Sequence, residues 1–479
     1  MNKERIYLFL TYFIVFLFQI FPYSDSDWGW HLKYGEYFLK TGVPLRYNLF
    51  SWSLPNFQWT NHEWLYDPIL YVLYTHIGYI GLILAGALIS FLTFYIIIHQ
   101  FKLSYWKVGV LGFFFIKISE VGIFQSFRSQ VISILIFSLL VSILIKAKKR
   151  MAPLVFIPPL FLFWANMHGT FLLGLAIVAI FLGSYVLEDI VNKKTQILKK
   201  LSIFLGIGLV TILLTLVNPF GYKIYLEALK HSSNPYLQNI MEWTPIISGC
   251  PSCHKFTFFA YSGILALIFI KFRKLANLPY IILFLFLGLA SIEMKRYLPI
   301  FVVVTLPILA ERLQNLKINM EKYKSTNYIS IIIISVLISF NFFNRFINFN
   351  LYKYSEADYC HFSGDCSPKM ADYLIKNPPS GKGFNFYDWG GYYIGKGIPF
   401  KLFIDGRMHL WKQDDYMPFA DYVAMYYDGD NKKFNEYNFD WVLVPLSSDI
   451  GQKIYNSDDL GKWQIQFVDA DSIFYIKRE

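Results

Sequence analysis

Charge is what this sequence has least of. Asp, Glu, Lys and Arg make up 16% of the 479 residues, where a soluble globular domain carries about 25%. Apolar residues take their place: 55% are hydrophobic, and the mean hydropathy is +0.39. That balance excludes a soluble protein with a merely large core and points to a polytopic membrane protein. Acidic residues are scarcer than basic ones, 33 against 44. The net charge of +11 does not mark a nucleic-acid binder, because the basic residues sit in short clusters between apolar runs, where they act as topology signals. Nucleic acid is therefore not an expected partner, whereas membrane lipid is. No small-x-small cleavage site follows the first apolar run. Phe21, Pro22 and Tyr23 close it instead, and it reads as a retained helix. No carboxylate lies in the middle of an apolar run, which argues against a transport pathway through the bilayer midplane.

Apolar stretches near the ~20 residues that cross a bilayer fall at about 5–22, 79–99, 106–119, 130–146, 152–165, 169–188, 201–217, 256–272, 278–293, 297–311 and 327–343, about eleven spans. With the N-terminus cytoplasmic, alternation places Phe101–Lys107, Lys146–Arg150, Asn192–Lys200, Lys271–Lys274 and Glu311–Lys324 inside. All are rich in lysine or arginine, as the positive-inside rule requires. Outside lie the long loop after the first span, short turns near 120–128, 166–169 and 293–296, the 218–255 loop, and everything after Phe343. In the first outer loop, Leu65–Ile77 has helical spacing but carries Asp67, Pro68 and His76, which fits a helix lying on the membrane surface. Turns at Gly42-Val43-Pro44 and Leu54-Pro55-Asn56 divide the rest into a folded cap.

From about Asn348 the apolar runs shorten to strand length. Lys401–Ile404, Trp441–Val444, Ile465–Val468 and Ile473–Ile476 read as strands, and Pro368–Lys376 as a helix. The expected organisation is a transmembrane domain over 1–347, with a folded outer loop at about 23–78, and an extracytoplasmic α/β domain over 348–479. The four cysteines, Cys250, Cys253, Cys360 and Cys366, all fall on outer segments, as an oxidising compartment selects. Pairing within Cys250/Cys253 and within Cys360/Cys366 is expected, with a metal site as the alternative.

The polar residues beside apolar runs gather on the same outer side. Asp25, Asp27 and His31 follow the first span, and Asn61, His62 and Glu63 end the cap. Arg128, Asn166 and His168 follow, then Glu242, Lys295 and Arg296. Such residues against a membrane are costly unless used. A carboxylate there can accept the proton of a hydroxyl acceptor, and an arginine fork suits a phosphate leaving group. The chemistry this supports is group transfer from a donor with its phosphate at headgroup level. Each group also has a plainer use. Asp25 and Asp27 can cap the helix that starts near Trp28. Arg128 and Arg296 can anchor lipid headgroups. Asn166 and His168 can tie off a helical turn, and the tryptophans can form an aromatic belt.

The run DSDWGWHLKYGEYF followed by WTNHEW resembles the first outer loop of bacterial GT-C membrane glycosyltransferases. Phe127-Arg128-Ser129-Gln130, Trp164–Gly169, Asn218–Gly221, Glu242-Trp243 and Arg296 follow in the same order as in those proteins. The resemblance implies an inverting transfer of a sugar from a polyprenyl-phosphate-linked donor, at the bacterial inner membrane, to an extracytoplasmic glycan, lipid or protein acceptor. It places the catalytic base at Asp27 or Asp25, with His31 beside it. Arg296, Arg128 and Lys295 would meet the donor phosphate, and His62, Glu63, Asn166, His168 and Glu242 would line the site. Gly29 departs from the pattern, since many such proteins carry a second tryptophan there. A looser similarity links Asn385–Tyr392 and Phe403–Arg407 to the Trp-Trp-Asp segment of the oligosaccharyltransferase catalytic subunit. It implies an acceptor-facing position for Asp388, Trp389, Asp405 and Arg407, against the plainer reading of a Gly-rich turn between strands. An oligosaccharyltransferase-type enzyme, moving a lipid-linked glycan to protein, is the nearer alternative. It implies a divalent cation, Mg or Mn, held partly by Asp25 and Asp27. A non-catalytic protein that binds or moves lipid-linked glycan, or a structural partner in an envelope complex, is the other.

Overall fold

The computed structural model describes residues 3–119, 127–230, 234–248, 253–272, 277–316, 351–364, 366–456 and 462–478. The expected span at 327–343, and Cys250, lie outside the described residues. The chain forms two compact units. One comprises Met1–Pro22, Tyr79–Val217 and Glu242–Tyr354; the other comprises Tyr23–Gly78, Asn218–Met241 and Ser355–Glu479. The units therefore do not follow the composition change at 348: the cap and the segment after Asn218 group with the C-terminal residues.

The first unit is helical. Its helices are α1 (Lys3–Leu17), the second part of α3 (Tyr66–Ile98), α4 (Tyr105–Ser119), α5 (Ser129–Ala147), α6 (Ile157–Met167), α7 (Phe171–Val191), α8 (Ile197–Thr215), α10 (Cys253–Lys271), α11 (Leu278–Glu293) and α12 (Leu298–Asn315). Among the described residues, five helices are long and apolar enough to cross a membrane: Tyr66–Ile98, Ser129–Ala147, Phe171–Val191, Ile197–Thr215 and Lys295–Asn315. The chain is a multi-pass membrane protein. In α12 every residue from Leu298 to Ala310 is buried, so this helix is surrounded by the bundle. A helix apolar on all faces fits such a buried place in a bundle. Small polar side chains tie its neighbours together: Tyr261 and Thr305 lie 3.0 Å apart, and Trp164 donates its indole N–H to Ser133 Oγ at 3.2 Å.

Tyr66–Ile98 is two helices that meet at a kink at Gly78, which takes φ +66° and ψ −159°. Only glycine adopts that conformation without strain, and it redirects the chain where the cap's polar residues give way to the apolar span.

The second unit is α/β. Its elements are α2 (Trp28–Thr41), the first part of α3, α9 (Lys223–Lys230), α13 (Glu356–Ser363), α14 (Pro368–Lys376), α15 (Gly390–Lys396), α16 (Pro418–Tyr426), α17 (Asn431–Tyr437), α18 (Asp449–Asn456), and strands β1 (Gly383–Asn385), β2 (Trp441–Pro445), β3 (Trp463–Val468) and β4 (Ser472–Lys477). The sheet order is β1-β2-β4-β3, with β1 parallel to β2 and the other pairs antiparallel. The α14 helix and three strands fall where the sequence pattern puts them.

Lys401–Ile404 is not a strand. The Phe403 and Ile404 amides donate to the Asn385 side chain, and Leu402 pairs instead with Phe50 and Trp52 of the cap. The strand that the pattern misses is β1, which ends at Asn385, where the segment that reads as a Gly-rich turn begins. Cys360 and Cys366 are disulfide-bonded, with Cα atoms 5.1 Å apart.

Candidate active site

The second unit builds a carboxylate centre at the start of α2. Helix α2 lies against α15 at a separation that only glycine permits. A Cβ on Gly29 would stand 2.0 Å from the Gly391 carbonyl oxygen, and one on Gly395 would stand 2.6 Å from the Gly29 Cα. This accounts for glycine at the position where a second tryptophan is otherwise expected. Overpacking of this kind costs about 1–3 kcal/mol. We expect Gly29→Ala to lower the thermal unfolding temperature of the purified protein; unchanged stability would disprove the close fit.

That contact brings Asp27 to the C-terminal segment. A Cβ on Gly406 would fall 1.8 Å from Asp27 Oδ1, so the Gly406 backbone directly abuts the carboxylate. Asp27 is the N-cap of α2 by position but makes no side-chain cap bond; its Oδ1 accepts the Trp30 indole N–H at 2.9 Å. Asp25 is 1% exposed. Its Oδ1 accepts the Asp27 backbone N–H at 3.2 Å, and its carbonyl accepts the Tyr359 hydroxyl at 2.6 Å. Asp25 thus shapes the turn, whereas Asp27 remains partly exposed.

Asp388, just before α15, is also partly exposed. Burial, and after it the nearby Asp27 carboxylate, push its pKa up to about 6. The fold therefore favours protonated Asp388. Its stabilising contribution is complete below the ordinary carboxylate pKa and is lost as pH rises through about 6. We expect Asp388→Asn to raise thermal stability over wild type at pH 7, with the gain vanishing near pH 4. An equal gain at both pH values would contradict this.

The remaining expected residues in this unit have structural placements. His31 is buried, with Nδ1 2.5 Å from Asp67 Oδ1 and Nε2 3.6 Å from Glu63 Oε2. Asn61 donates to the other Asp67 oxygen at 2.7 Å. Both His31 ring nitrogens face carboxylates of the cap. His62 lies 3.9 Å from Glu63. Trp389 is buried.

Asp405 and Arg407 are buried together. Their side chains have no exposure, and Arg407 donates to Asp405 at 2.7 and 2.6 Å. Arg407 also donates to the Tyr34 hydroxyl at 2.7 Å and to Asn48 Oδ1 at 3.3 Å. Burial works against the Arg407 charge, yet Asp405 and then Tyr34 hold its pKa above the ordinary arginine value. The pair pins the cap to the C-terminal segment.

The first unit carries the arginines. Arg128 Nη1 lies 3.5 Å from Glu242 Oε2, and Arg296 Nη1 lies 3.7 Å from Glu242 Oε1. Gln130 donates to Glu242 Oε1 at 3.3 Å, and the Arg296 guanidinium stacks 3.9 Å over the Trp243 ring. The side chains of Arg128, Arg296 and Glu242 are each 17% exposed. Lys295 is buried, and its Nζ donates to Thr244 Oγ1 at 2.7 Å. Asn166 bonds the carbonyls of Leu162 and Val217, and His168 bonds Thr170 at the start of α7. Asn166 thus bonds backbone carbonyls, as its plainer reading has it.

Among the described residues, no three His, Cys, Asp or Glu side chains are gathered so as to hold a metal ion.

No protein-family model matches the sequence, and no curated protein matches it. Solved structures do. The oligosaccharyltransferase of Archaeoglobus fulgidus in its apo form is 11% identical, with a TM-score of 0.56 over 100% of this chain and 75% of that one. ArnT from Cupriavidus metallidurans is 13% identical over 98% of this chain and 97% of that one. Its TM-score is 0.51 in the form bound to undecaprenyl phosphate and 0.54 in the apo form. Both proteins are GT-C membrane glycosyltransferases. At these identities the likeness is one of fold.

Proposed function

On this GT-C fold, we propose that the protein transfers a sugar from a polyprenyl-phosphate-linked donor to a hydroxyl acceptor on the extracytoplasmic side of the bacterial inner membrane. The observation that carries the reading is Asp27: a partly exposed carboxylate in the stretch after the first helix, oriented by the Trp30 indole and set against the Gly406 backbone. Asp27 takes the acceptor's hydroxyl proton as that oxygen attacks the anomeric carbon. The bond from that carbon to the phosphate oxygen breaks, and polyprenyl phosphate leaves with the electron pair, inverting the configuration. A positioned base of this kind contributes about 10²–10⁴-fold.

Arg128 and Arg296 take the donor phosphate. Their planar forks suit phosphate geometry better than an ammonium group does, and Trp243 holds Arg296 by stacking on its face. Asp388, beside Asp27, stands on the acceptor side.

The test is transfer from a polyprenyl-phosphate-linked sugar by the purified protein in detergent. We expect turnover that persists in excess chelator and falls sharply in Arg128→Gln and Arg296→Gln. Turnover that requires both a diphosphate-linked donor and a divalent cation would replace this reading with an oligosaccharyltransferase-type one. Binding of lipid-linked glycan with no turnover on any donor would favour a non-catalytic carrier.

A further inference from the structure

One carboxylate lies between the two arginines assigned to the donor phosphate, with each of its oxygens facing one guanidinium. The distances, 3.5 and 3.7 Å, are those of ion pairs. Charge-assisted hydrogen bonds are shorter, at about 2.7–2.9 Å. Glu242 therefore neutralises the arginines without drawing them into the tight fork-to-carboxylate geometry they can adopt. The surroundings are built to keep this arrangement: Gln130 donates to Glu242 Oε1, Trp243 covers the face of Arg296, and Lys295 is turned aside to Thr244. Two arginines held close in a largely buried site repel each other unless an anion stands between them.

We propose that Glu242 is a place-holder for the lipid phosphate: it occupies the arginine pair when the site is empty, yields to the phosphate when donor binds, and returns to help expel polyprenyl phosphate after transfer. This rests on the assignment of Arg128 and Arg296 to the donor phosphate and adds the competing group. A phosphate offers more oxygen acceptors than a carboxylate and can bond both forks at hydrogen-bonding distance. It therefore wins when the lipid brings it to the site. Glu242 limits the affinity, so the product is released instead of being trapped.

The experiment measures binding of polyprenyl phosphate, and separately of inorganic phosphate, to the full-length protein in detergent. Removing the competing charge in Glu242→Gln should tighten polyprenyl phosphate binding by about fivefold to tenfold, from the loss of a like charge a few ångströms away. Inorganic phosphate should follow in the same direction. Glu242→Asp, which keeps the charge, should show no such gain, while Arg128→Gln and Arg296→Gln should lose binding. Glu242→Ala makes the same measurement if the amide variant does not accumulate. Loss of binding in the arginine variants with equal or weaker binding in Glu242→Gln overturns the place-holder role and leaves the arginine assignment standing. Wild-type binding in both arginine variants overturns the arginine assignment, and the place-holder with it. An equal gain in Glu242→Asp and Glu242→Gln means that the site has merely loosened and also overturns the proposal.

Discussion

Replacing Asp27 by asparagine is expected to lower sugar transfer by about 10²–10⁴-fold, the usual worth of a positioned general base. The loss should fall on kcat and leave KM nearly unchanged, because the proton is moved only in the transition state. The amide oxygen of asparagine can still accept the Trp30 indole N–H that Asp27 accepts, so the thermal unfolding temperature should stay close to wild type. Asp25→Asn should cost less activity. An amide oxygen there can keep the bond to the Asp27 backbone N–H, and the residue is too buried to reach an acceptor. Steady-state kinetics of the two variants in detergent decide the assignment. Asp27→Asn retaining wild-type turnover would remove Asp27 from the mechanism, and a larger loss in Asp25→Asn would transfer the role to the buried residue.

The largest effect on stability is expected at Arg407. Arg407→Met leaves Asp405 fully buried without its partner and takes a donor from Tyr34 and Asn48. Breaking a buried ion pair on one side costs about 3–5 kcal/mol, a large share of the 5–15 kcal/mol that typically holds a domain together. The single variant should fail to accumulate or should unfold at markedly lower denaturant in detergent, followed by tryptophan fluorescence. The double variant Asp405→Leu/Arg407→Met should recover much of the loss, since well-packed apolar replacements of buried pairs are often tolerated. A mild effect of Arg407→Met alone would show that the pair is less enclosed than its zero exposure implies.

Local chemistry was readable from the sequence wherever one stretch of chain decides it. Among the described residues the apolar runs became helices, and Pro368–Lys376 took the bounds its pattern indicates. The Asp25/Asp27 cluster lies at the head of a helix, as its N-cap residues and tryptophans suggest. What the pattern did not carry is pairing over long separations. His31 looks like a companion of Asp27, four residues away, but its ring is taken up by Asp67, 36 residues on. Asp405 and Arg407 look like a polar strand end facing an acceptor. Their burial follows from Tyr34 and Asn48, which lie more than 350 residues earlier. Gly29 reads as a departure from a motif until Gly391 and Gly395 are seen against it. Glycine's role there is an absence of atoms, which no propensity or periodicity records.

The second unit is drawn from three stretches of chain, Tyr23–Gly78, Asn218–Met241 and Ser355–Glu479, and this fixes an order of events during synthesis. The segment bearing Asp27 leaves the ribosome early, but the glycines that receive α2 and the Arg407 that pins the cap emerge only with the last quarter of the chain. Until then Trp28, Trp30 and Tyr34, all buried in the finished protein, have no partners from that segment. Domains normally fold as units while the chain is still being made; this one must wait through the insertion of most of its helices. A nascent chain stopped before residue 355 would display an unfinished, aromatic-rich cap, a natural substrate for chaperones and proteases at the membrane surface. No partially synthesised chain would carry a working centre.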